Sequence, residues 1–137
     1  MIYTLSDFLK EYMFVGSIRT RGKRSNFDVK INQYDMSTGK VMGSTEDRRG
    51  KTSINGIIIP DSPDCAKIIL EQKFSHSSKK TVLNGNITRT SQNLVLTGTY
   101  RTQEGKYRFN LGAERKEECP TPRWTYRISA IVFPKAN

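Results

Sequence analysis

"NLVLTGTY", residues 93–100, is the stretch whose reading decides the fold. Leu94, Leu96 and Tyr100 alternate with Val95, Thr97 and Thr99. That period of two marks a β-strand with one buried face. Gly98 falls on the face of the leucines. A glycine there weakens the strand, because it packs nothing and loses more backbone entropy on ordering than any other residue. The arrangement recurs in "FVGSI" (14–18), "VMGST" (41–45), "INGII" (54–58) and "LNGNI" (83–87). The five glycines, residues 16, 43, 56, 85 and 98, are separated by 27, 13, 29 and 13 positions. These are one or two multiples of a strand plus a turn. Five strands thus leave an inward gap at a similar height. Strands coiled tightly enough to close into a barrel need such relief at their bends. The same gaps would also make room for a ligand or a plugging segment.

Outward from this stretch the period of two persists. Strands are predicted near 13–21, 26–34, 40–46, 51–59, 66–74, 81–89, 93–101, 105–113 and 124–133. The turns between them are mostly short, as in hairpins joining sequential antiparallel strands. "TLSDFLKEY" (4–12) carries the only helical signal. Thr4 is placed to cap it with Asp7 three residues on, and Leu5, Phe8, Leu9 and Tyr12 share one face. The expected architecture is all-β: an up-and-down antiparallel barrel of about eight strands. One short N-terminal helix within residues 1–12 closes an end or packs alongside. A β-sandwich is the alternative. The expected core includes Phe14, Phe27, Val29, Ile31, Leu96, Phe109 and Leu111.

The 137 residues suit a single domain, 1–137, with a core large enough to need neither metal nor disulfide. Hydrophobic residues at 35% and charged residues at 26% are globular proportions. Cys65 and Cys119 form no CxxC and no ligand cluster, so they read as idle thiols or one disulfide, and no metal or cofactor is expected. The N-terminal segment carries Asp7 and Glu11 and lacks the basic-then-apolar order of a signal peptide. No run approaches the ~20 apolar residues of a membrane helix. The expected location is cytoplasmic.

Catalytic constellations are nearly absent. His76, the only histidine, lies in the polar turn "FSHSSKK" and reads as a solvated side chain. There is no HExxH, no phosphate-loop lysine, no GxGxxG and no nucleophile elbow. A non-enzymatic role is favoured. The formal net charge of +10 points instead to an anionic partner.

In an up-and-down barrel alternate turns lie at one end. "RTRGKRS" (19–25), "EDRRGK" (46–51), "SHSSKK" (75–80) and "RTQEGK" (101–106) would share an end, and they carry nearly all the excess positive charge. Arg19, Arg21, Lys23, Arg24, Arg48, Arg49, Lys51, Lys79, Lys80, Arg101 and Lys106 would then form a basic rim around one mouth. A single-sign mouth focuses potential and draws an anion. The expected partner is nucleic acid or another polyanion, held through phosphates. Two alternatives stand beside it. In one, a small acidic ligand or peptide sits in a cavity lined by Gln33, Thr45, Tyr100, Tyr107, Trp124 and Tyr126. In the other, the barrel binds a protein or itself, through a patch around "GIIIP" (56–60).

The meander with an N-terminal helix and glycine-bearing strands resembles the calycin group: lipocalins, fatty-acid-binding proteins and avidins. "LTGTYRT" (96–102) is similar to a glycine–threonine–tyrosine segment of avidins. The chain has one tryptophan, Trp124, where avidins use several around biotin, so the likeness implies a fold and no biotin site. Residues 14–43, with Phe-x-Gly, a basic turn, Phe-Asp-Val and a Thr-Gly turn, also resemble the barrel of degron-reading ubiquitin-ligase receptors.

Overall fold

The computed structural model describes residues 4–20, 22–47, 50–73, 80–90, 93–102, 105–116 and 133. A helix, α1 (Leu5–Glu11), precedes eight strands: β1 (Tyr12–Thr20), β2 (Lys23–Tyr34), β3 (Lys40–Asp47), β4 (Gly50–Ser62), β5 (Cys65–Lys73), β6 (Lys80–Arg89), β7 (Leu94–Thr102) and β8 (Gly105–Arg115). Each strand pairs antiparallel with the next, and β8 returns to pair with β1, so the sheet closes. Closure leaves no unpaired edge, which removes the main aggregation hazard of a sheet. The barrel is consistent with the calycin architecture. Residues 124–132 of the expected strand at 124–133, Trp124 among them, lie outside the described residues; Phe133 is described, is buried and is not part of a strand.

Alternation places one face of every strand inside. Phe14, Phe27, Val29, Val41, Ile87, Leu96 and Leu111 are all buried. Phe27 sits centrally, 6.1 Å from the Tyr100 ring and 6.1 Å from Phe109. The helix begins on a capping box: Thr4 Oγ1 accepts from the Asp7 amide, and the Asp7 carboxylate accepts from the Thr4 amide. Leu5, Phe8 and Leu9 are buried, and Phe8 stacks on Tyr12 with ring centroids 4.7 Å apart. The helix therefore covers the end at which β1 starts. Lys116, just past β8, fastens it there. Its Nζ donates to Leu9 O and to Ile31 O, both at 2.7 Å, and satisfies a carbonyl that the helix end would otherwise leave open.

Two strands contain a bulge, and one of them, β4, runs further past its bulge than its sequence suggests. "PDSPDC" reads as a turn from its prolines, yet β4 continues through Ser62. Pro60 pairs with Ala66 and Ser62 with Cys65, leaving Asp61 as the extra residue. In β2, Ile31 pairs with Gly43 but Gln33 pairs with Met42, so Asn32 is extra. A one-residue insertion exchanges the two faces of the strand beyond it.

The five inward glycines are explained by backbone, not by open space. A Cβ built on Gly43 would meet the Lys30 carbonyl oxygen, and one on Gly56 the Ile69 carbonyl oxygen. On Gly98 it would meet the Asn84 carbonyl and lie 2.5 Å from the Gly85 Cα, its partner across the β6–β7 pair. Coiling brings neighbouring strands so close at this level that only a residue without a side chain fits.

Candidate anion-binding face

The strand ends Thr20 and Lys23, Asp47 and Gly50, Lys73 and Lys80, and Thr102 and Gly105 lie at the end opposite α1, as the meander requires. Of the predicted rim, Arg19, Lys23, Arg24, Lys51, Arg101 and Lys106 are exposed at this end. Lys80 belongs to β6, opposite Lys73. Arg21, Arg48, Arg49 and Lys79 lie outside the described residues, as does His76.

Register brings four of these residues together and adds one. Arg19 on β1 lies directly opposite Arg24 on β2 and directly opposite Arg108 on β8. Arg101 on β7 lies directly opposite Lys106 on β8. Lys106 and Arg108 stand two residues apart on the same outward face, and all five are exposed. Opposed side chains on antiparallel strands have Cβ atoms ~4.5–5.5 Å apart, so the five form one continuous cationic row over β7, β8, β1 and β2. None of the five makes an ion pair with a described residue. Like charges directly opposite one another destabilise a sheet.

The described cations therefore do not encircle the mouth evenly. The row occupies the outer wall on one side. Across the barrel, Lys51 is paired in register with Glu46, which also opposes Asp28. The acids set a boundary to the row. Asp28 lies on the outward face of β2, four residues beyond Arg24. Partial burial, with Glu46 and Glu114 nearby, raises its carboxyl above the ordinary range.

Arg108 was missed by counting charge turn by turn, since it falls beyond the turn residues. Its signal was alternation: in "GKYRFNL" (105–111), Lys106 and Arg108 share the polar face while Tyr107, Phe109 and Leu111 share the apolar one.

The residues of the alternative cavity are placed as follows. Thr45 is buried and accepts a 2.6 Å hydrogen bond from Gln72 Nε2; the Gln72 Oε1 has no hydrogen-bond partner among the described residues. Tyr100 is buried, with the half-buried Tyr107 ring 6.4 Å away. Gln33 corrects the expectation: it is exposed on the outer face, opposite Met42, because the bulge at Asn32 reverses the facing of β2 beyond it. Tyr34 takes the inward position instead and packs against the core. Trp124 and Tyr126 lie outside the described residues. Cys65 is a free thiol. Among the described residues no three His, Cys, Asp or Glu side chains converge on a common point, and no helix is long and apolar enough to cross a membrane.

No protein family and no curated protein matches this sequence. The reading of the face therefore rests on its own geometry.

Proposed function

We propose that this chain is a non-enzymatic binding module that takes a nucleic acid along the cationic row Arg101–Lys106–Arg108–Arg19–Arg24. The observation that carries this reading is the register itself: three strand pairs hold five like charges side by side, none of them ion-paired with a described residue, at a cost in sheet stability. A bound polyanion removes that cost. Phosphates spaced along a strand match a linear row of cations better than a single small anion does. Exposed rings are absent from the row itself, so contacts are to backbone and base-sequence preference is weak. The calycin-like barrel serves as a rigid support, and the lipocalin, avidin and degron-receptor likenesses contribute fold only.

The test is fluorescence anisotropy of a labelled single-stranded RNA and a DNA duplex across a salt series. Five phosphate contacts to a single strand give a log–log salt slope of about −3.5. The variant Arg19→Glu/Arg24→Glu/Arg108→Glu is expected to abolish binding, while Lys51→Gln, on β4 outside the row, leaves the slope unchanged. Binding with equal affinity and slope in the triple variant would overturn the reading.

A further inference from the structure

On the side of the barrel opposite the cationic row, the outer wall carries an apolar patch. Ile57 on β4 and Ile69 on β5 are directly opposite each other, and each is 37% exposed. Ile59 and Met42 flank them at 41% and 55%. Outward positions on these strands are otherwise polar, as Ser53, Asn55 and Lys67 show. Isoleucine on both faces of "GIIIP" is not needed to build the core, which Ile54 and Ile58 already supply from inside. Burying such side chains away from water is favourable in proportion to the apolar area covered.

The charges around the patch indicate what covers it. On the outward face of β5 the order is Lys67, Ile69, Glu71. This order is its own complement when reversed. We propose that two copies of this chain associate face to face through the outer walls of β4 and β5. The two-fold axis lies in the interface plane and runs across the strands along the Ile57–Ile69 line. That operation sets Ile69 against Ile69 of the second copy, and Lys67 against Glu71 of the second copy, twice over. Isologous contacts require this kind of self-complementarity.

The barrel order supports the same geometry. β5 is four strands from β1 in either direction around the closed sheet. Association through β5 therefore turns the two cationic rows away from each other, to the far sides of the dimer. For a chain of net charge +10, this is the arrangement with least mutual repulsion. The proposal does not depend on nucleic-acid binding.

Sedimentation equilibrium from about 1 µM to about 500 µM tests it, with circular dichroism confirming that each exposed-site variant is folded. The expected result is a concentration-dependent rise to twice the chain mass. Ile69→Glu abolishes the rise. Lys67→Glu and Glu71→Lys each raise the dissociation constant at least about tenfold, and the double exchange Lys67→Glu/Glu71→Lys restores it. A monomer at every concentration overturns the proposal and leaves the patch to a different protein. A dimer indifferent to Ile69→Glu overturns it as well. So does a dimer that the single charge reversals weaken and the double exchange does not restore.

Discussion

Arg19 stands directly across from Arg24, with Arg108 across from it on the other side, so one arginine of β1 is flanked by two like charges at ladder distance. This placement opposes stability and favours an anion. Replacing Arg19 by threonine, which suits an outward strand position, is expected to stabilise the free protein by about 0.2–1 kcal/mol at low salt. The gain shrinks as added salt screens the pair. The same variant binds single-stranded RNA more weakly, with the salt slope reduced by about 0.7. Urea unfolding and anisotropy on one preparation check both signs. A variant that is less stable and binds as before contradicts the assignment.

Gly98 and Gly112 make a matched pair for the barrel's curvature. A methyl group on Gly98 meets the Asn84 carbonyl and the Gly85 Cα, whereas on Gly112 its nearest neighbour is the Asn93 side-chain nitrogen at 3.6 Å. Gly98→Ala is expected to cost more than about 3 kcal/mol, because neighbouring backbone must move. Gly112→Ala should fall within about 0.5 kcal/mol of the parent. Chemical denaturation distinguishes them, and equal effects would refute the close-approach explanation.

Asp28 yields a pH dependence. Partial burial, then Glu46 and Glu114, raise its folded-state carboxyl above the ordinary 3.8. The folded protein thus holds this proton more tightly than the unfolded chain does. The ionised group is destabilising above its raised folded value, and that penalty disappears as pH falls through it towards 3.8. Asp28→Asn should therefore raise the melting temperature near neutral pH and lose its advantage in acid. Melting curves of both proteins across the acid range decide it. An advantage that is constant with pH would show that the carboxyl charge is not the cause.

The Gln72–Thr45 hydrogen bond crosses the interior above β4, between strands not adjacent in the sheet. Thr45→Val removes the acceptor and leaves the buried Gln72 amide unpaired, at a cost of about 1–3 kcal/mol. Thr45→Val/Gln72→Met removes both partners and should recover most of that loss. A double-mutant cycle by denaturant unfolding measures the coupling, and additive losses would show that the pair is not linked.

Most of the barrel was legible because burial on one face forces a period of two. Phe27, Val29 and Ile31 announce β2, and Leu94 and Leu96 announce β7, without reference to any other strand. The capping box at Thr4 and Asp7 was equally local. Bulges were not legible. Nothing in "INQY" (31–34) shows that Asn32 is extra, since an insertion exists only relative to the partner strand. Gln33 was consequently placed inside. The proline-rich "PDSPDC" concealed the end of β4 for the same reason. The cationic site was half legible. Arg19, Arg24, Arg101 and Lys106 were found from their turns, but Arg108 joins them only through pairing with Arg19.

The sequence by itself determined the strands, the order in which they meander, the helix and the excess of positive charge. Each of these follows from side-chain alternation, turn chemistry and composition within a few residues. Tertiary structure alone decided which residues stand opposite one another. Register placed Arg108, Arg19 and Arg24 in one row, set Gly98 against Gly85, and brought Lys67, Ile69 and Glu71 to the wall opposite β1. The physical reason is that closure links the first strand to the last. Neighbours across that seam are fixed by the whole ring of hydrogen bonds and not by any local stretch of chain.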